Sequence, residues 1–94
     1  MSNTNTYKPV GRFDGSNAAT HEKELLALLV DGVNTIIIDL AEVDYISSAG
    51  LRVLLVTGKA AKGKGGKVVL ASPKSSILEV IKMSGFDKIL EVRT

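Results

Sequence analysis

Cysteine is absent from the 94 residues, and histidine occurs once, as His21. Without thiols there can be no disulfide, no thiolate metal centre and no cysteine nucleophile, and one imidazole cannot build a multi-histidine metal site. Tryptophan is missing too, and aromatic residues make up 4% of the chain, which leaves few flat surfaces on which bases could stack. A net charge of +2 exerts little pull on a polyanion. No nucleic-acid partner is expected. Long apolar runs are also lacking: nothing approaches the roughly 18 residues of a membrane span, and Met1-Ser2-Asn3-Thr4-Asn5-Thr6 contains no apolar signal core. The expected location is the cytoplasm, with no membrane attachment.

What is present is 45% apolar and 23% charged, the ordinary balance of a soluble globular domain. This length allows one domain, residues 1–94, with one modest core. Residues 1–6 are polar and expected to be disordered. Tyr7 to Asp14 alternates loosely, and Pro9 suggests an edge strand because proline cannot donate to a ladder. After a turn at Gly15-Ser16-Asn17, Ala18 to Val30 reads as a helix. Leu25, Leu26, Leu28 and Leu29 gather on one face, and Asp31-Gly32 closes the helix. His21, Glu22, Lys23 and Glu24 begin its solvent side, so His21 reads as a first-turn surface residue.

The most informative stretch follows. Thr35-Ile36-Ile37-Ile38-Asp39-Leu40 is a short β-branched run of strand length. A polar link, Ala41-Glu42-Val43-Asp44, leads to Tyr45-Ile46-Ser47-Ser48-Ala49-Gly50-Leu51 and a helix predicted from Ser48 to about Ala61. Leu51, Leu54 and Leu55 form its expected apolar face. Two serines thus stand where a helix begins. There a hydroxyl can accept from a free first-turn amide, and negative charge is tolerated through the helix dipole. Lys67 to Ala71 reads as a buried strand. A third helix follows, with Ser76 and Glu79 matching a capping box, an apolar face of Ile77, Val80 and Ile81, and Ser84-Gly85 at its end. Lys88 to Val92 reads as a short last strand. Strands alternating with helices give an α/β fold, with about three helices packed on a mainly parallel or mixed sheet of about four strands.

The strand, the acidic link, the Tyr45 to Leu51 motif and the apolar helix together resemble the STAS domain family, and within it the bacterial anti-sigma-factor antagonists. The usual family form is an aromatic, an apolar residue, Asp, Ser, Ser or Thr, Gly and Leu. The resemblance covers roughly Val10 to Val92, and it implies a family fold whose N-terminal strand and C-terminal helix are shortened or missing here, leaving a sheet edge open to pairing. Gly50-Leu51 aligns with the family Gly-Leu pair, which places the phosphoacceptor on Ser48. Ser47 occupies the family Asp position and is the second candidate acceptor. Asp14, in Gly11-Arg12-Phe13-Asp14, is expected on the same surface, and Asp44, Ser47, Ser48, Ala49, Gly50, Leu51 and Arg52 complete the expected partner-binding set. By resemblance, the chain is a non-enzymatic switch with no cofactor. Unphosphorylated, it binds a serine kinase that is also an anti-sigma factor, and it is released when that kinase modifies Ser48. A PP2C-type serine phosphatase restores it. The alternative is a STAS domain serving as a scaffold or regulatory module in another assembly, such as lipid transport, stress sensing or secretion control.

Other chemistries find little support. Gly58-Lys59-Ala60-Ala61-Lys62-Gly63-Lys64 resembles the start of a phosphate loop, yet Gly65 stands where a magnesium-binding hydroxyl is needed, and the stretch follows a helix instead of opening one. Lys59, Lys62, Lys64 and Lys67 read as a solvated helix end and loop. A serine hydrolase is not expected either, since Ile46 occupies the first glycine position of a nucleophile elbow around Ser48 and the lone histidine lies in another helix.

Overall fold

The computed structural model describes residues 4–29 and 35–94. Its elements are β1 (Thr4–Tyr7), β2 (Gly11–Phe13), α1 (Ala18–Ala27), β3 (Thr35–Asp39), β4 (Val43–Ile46), α2 (Ser48–Gly63), β5 (Lys67–Ala71), α3 (Ser75–Met83), a 3₁₀ turn (Phe86–Lys88) and β6 (Glu91–Arg93). Four strands form an all-parallel sheet in the order β1-β3-β5-β6, and β2 pairs in parallel with β4 in a separate two-stranded ribbon. The α/β class and the helix-joined parallel sheet agree with the sequence reading.

The two middle strands show why the sheet is parallel. Val68, Val69 and Leu70 are buried in succession along β5, and Ile36 and Ile38 are buried in β3, alternating with half-buried Thr35, Ile37 and Asp39. Strands covered on both faces need crossover helices, which α1, α2 and α3 supply. Phe13, Leu25, Leu40, Val43, Leu54, Ile77 and Ile81 complete the core.

Several sequence expectations are corrected. Thr4 to Thr6, expected to be disordered, pair with Thr35 to Ile37 as part of β1. The single strand predicted over Tyr7 to Asp14 is instead two, with buried Pro9 in the break between them. The link after β3 contains β4, whose pattern of buried ends and exposed Asp44 and Tyr45 is too short to signal a strand by periodicity. α1 ends at Ala27, and Leu26, expected on its buried face, is exposed. The predicted Asp31-Gly32 closure lies outside the described residues.

The buried face of α2 also differs. It runs Gly50, Val53, Leu54, Thr57, Gly58 and Ala61, while Leu51 and Leu55 are half-buried. That stripe keeps helical spacing but is built mostly from small residues, so a reading weighted by large side chains rotates it. In α3 the expected capping box does not form. The N-cap is Lys74, with no side-chain cap, because the helix starts two residues earlier than a Ser76 cap requires and Leu78 N–H donates to the Lys74 carbonyl at 2.8 Å.

Candidate functional site

The segment carrying the serines is fixed before α2 begins. β4 lies beside β2, and as it ends the Ser47 amide donates to the Phe13 carbonyl at 3.0 Å. Ser47 then takes an extended backbone and becomes the N-cap: its Oγ accepts from the Gly50 amide at 3.2 Å, while its carbonyl accepts from Leu51 N–H at 2.9 Å. The half-buried Ser47 hydroxyl is thereby committed to the helix end. Ser48, the first helical residue, is exposed, and its side chain forms no hydrogen bond among the described residues. The two hydroxyls, which the helix-start pattern alone does not separate, thus have different environments.

Gly50 makes this seat possible. A Cβ there would lie 2.5 Å from the Phe13 carbonyl oxygen and 2.8 Å from both Phe13 Cδ1 and Ile46 Cγ1. Glycine lets the first turn of α2 rest directly on β2. One residue past the end of β2, Asp14 is locked into its own turn. Its Oδ1 accepts from the Ser16 hydroxyl at 2.6 Å and the Ser16 amide at 3.0 Å, and its Oδ2 accepts from Arg12 Nε at 3.0 Å. The Ser16 hydroxyl, followed by Arg12, holds the Asp14 carboxyl below the usual carboxylate range. The Arg12 guanidinium also lies 4.4 Å over the ring of exposed Tyr45.

Of the residues named from sequence, Ser47 and Gly50 meet directly through Phe13, with Asp14 next in chain to that residue. Ala49 and Arg52 line a groove of about 280 Å³ between α1 and α2, together with Gly15, Ala18, Ala19, Glu22 and Val53. Leu51 is half-buried against the core. Asp44 is exposed and pairs with Lys74 at the start of α3. Lys59, Lys62, Lys64 and Lys67 are exposed at the far end of α2 and the start of β5, and Gly58 to Gly63 is helix, not a phosphate loop.

Sequence reasoning missed the roles of Phe13, Arg12 and Lys74, and it misplaced His21. That ring is half-buried, stacked on Phe13 with centroids 4.5 Å apart, and its Nδ1 lies 2.6 Å from the Tyr7 hydroxyl, which also donates to Glu24 at 2.7 Å. Burial, reinforced by the Glu24 carboxylate, pushes the Tyr7 phenol up. A cross-element stack between residues 13 and 21 leaves no periodic trace, so no local pattern could have revealed it. Among the described residues no group of three or more acidic or histidine side chains could hold a metal, and no helix is long and apolar enough to cross a membrane.

Comparison with known proteins accords with this geometry. The STAS domain family model matches residues 2–94. Over 82 residues the chain is 40% identical to BtrV of Bordetella bronchiseptica, a protein named as an anti-sigma factor antagonist; the match covers 87% of this chain and 71% of BtrV. Among solved structures, the Thermotoga maritima protein TM1081, named likewise, superposes with a TM-score of 0.91 at 23% identity, covering all of this chain (100%) and 81% of that one. Unphosphorylated SpoIIAA, an anti-sigma factor antagonist, gives 0.84 at 18% identity, covering 100% and 83%, and a second structure holds its phosphorylated form. A sulfate transporter family protein from Wolinella succinogenes also gives 0.84 at 18% identity, covering 97% of this chain and 76% of that one, which speaks for the fold alone. With a family match running almost from end to end and a relative at 40% identity, the chain belongs to the STAS domain family.

Proposed function

We propose that this chain is an anti-sigma-factor antagonist that works as a phosphorylation-controlled partner switch, with Ser48 as the acceptor. The observation that carries the reading is the division of labour at the start of α2: Ser47 is spent on the helix cap, while Ser48 presents an exposed, uncommitted hydroxyl. The 40% identity to a protein named as an anti-sigma factor antagonist favours this role over the scaffold alternative.

Unphosphorylated, the surface around Ser48 docks on a serine kinase that is also an anti-sigma factor, and the sigma factor is freed. The kinase brings its own ATP, and this chain contributes the hydroxyl and no catalytic group. The product carries about −1.5 to −2 charges and three strong acceptor oxygens. Its own domain tolerates that charge because the first turn of α2 has free amides and the positive end of the dipole. An acidic or apolar partner surface does not. Unit charges about 5 Å apart at an effective dielectric near 20 repel by roughly 3 kcal/mol, a loss of about a hundredfold in affinity. A PP2C-type serine phosphatase then resets the switch.

The test uses the serine kinase encoded nearest this chain. Ser48→Ala is expected to bind it and stay bound in the presence of ATP, while Ser48→Asp binds at least tenfold more weakly. Intact mass after incubation should show one added phosphate on the wild type and none on Ser48→Ala. Equal affinity of the two variants, or phosphate retained by Ser48→Ala, would overturn the assignment.

A further inference from the structure

We infer that Arg52 is the internal partner of a phosphate carried by Ser48, so that modification withdraws a cation from the neighbouring groove as well as adding an anion beside it. This rests on the acceptor reading given above. Ser48 and Arg52 are both exposed and lie four residues apart on α2, a spacing that puts their Cβ atoms about 5–6 Å apart on one face. Helical side chains lean toward the N-terminus, so the Arg52 stem, which lines the groove, has the turn that holds Ser48 within its reach.

Arg52 is also uncommitted. Among the described residues it forms no ion pair and no side-chain hydrogen bond, whereas the other cations near this surface are engaged: Arg12 with Asp14 and Lys74 with Asp44. Its groove contains one carboxylate, Glu22 on α1, which shares the lining with Arg52 without closing an ion pair. A planar guanidinium can grip a phosphate through two parallel N–H bonds, and a dianion four residues away outcompetes a single carboxylate across a groove. Once Ser48 is modified, Arg52 turns from the groove to the phosphate. Glu22 is left unopposed in a hollow otherwise walled by Gly15, Ala18, Ala19, Ala49 and Val53. A partner that seats an acidic group against Arg52 in that hollow loses its counter-charge in the same event.

The test is a ³¹P NMR pH titration of the full chain with phosphoserine placed at position 48 during translation. A cation beside the phosphate favours the dianion, so Arg52→Gln is expected to raise the titration midpoint by about 0.15–0.4 unit, with Arg52→Lys in between. Salt near 1 M should erase most of that difference. Coincident midpoints for wild type and Arg52→Gln at low salt would overturn the pairing. The free amides of α2 are common to both proteins and cancel. Because the phosphate is installed without a kinase, a kinase that ignores Ser48 would sink the switch reading and leave this titration decisive for Arg52.

Discussion

At the level of single residues, the two serines should answer to different measurements. Ser47→Ala removes the hydroxyl that satisfies the Gly50 amide and is expected to cost about 1 kcal/mol in urea unfolding. Ser47→Asp keeps an acceptor and adds charge at the favourable end of α2, so it should match or exceed the wild type. The family preference for Asp at this position has a physical reading in those terms: a carboxylate and a hydroxyl can both cap the turn. Asp14 makes a pH prediction. Its carboxyl titrates lower in the folded chain than in the unfolded one, chiefly because of the Ser16 hydroxyl and then Arg12. Its stabilising contribution is therefore present above the unfolded carboxylate range, near pH 4, and is lost as pH falls through the folded value. Asp14→Asn should lower stability at neutral pH and above, where that contribution is fully present, flatten the acid limb of the profile, and converge with the wild type at low pH, where Asp14 is protonated. An unchanged acid limb would show that the Ser16 and Arg12 contacts do not form in solution.

For the elements, α2 is the sharpest lesson in what a sequence can reveal. The motif at its start was legible because small and polar residues at a helix N-terminus have few other uses. Its buried face was not, since Gly50, Thr57, Gly58 and Ala61 earn their place by allowing close approach, which no hydropathy pattern records. The distinction can be measured. Gly50→Ala would drive a Cβ into the Phe13 carbonyl, a backbone atom, and is expected to cost about 1–3 kcal/mol. Gly58→Ala would press on Leu90 Cδ2, the end of a flexible side chain, so it should cost distinctly less in the same unfolding experiment. The same logic explains the missing capping box on α3. Ser76 and Glu79 have the right spacing, but the helix begins at Ser75, behind a Lys74 side chain drawn to Asp44 in β4. A tertiary ion pair is invisible to a local motif.

On the scale of the whole molecule, the alternation of strands and helices foretold the parallel sheet, whereas the strand order β1-β3-β5-β6 and the separate β2–β4 ribbon depend on contacts between distant segments. β1 shows why: Thr4-Asn5-Thr6 has no apolar signature and becomes a strand through pairing with Thr35 to Ile37. Removing residues 1–6 should lower the thermal midpoint by on the order of 5–10 °C and expose the edge of β3, with self-association detectable by light scattering. A monomer of unchanged midpoint would show that this strand contributes nothing. The length of α2 has its own consequence. Sixteen residues span roughly 24 Å of a molecule whose longest dimension is 33 Å, with Ser48 at one pole and Lys59, Lys62 and Lys64 toward the other. A formal charge of +2 joined by a phosphate of about −2 comes close to electroneutrality. The modified molecule would then be a dipole with almost no monopole: a charged neighbour would rotate it more readily than attract it, and its isoelectric band would move well below that of the parent.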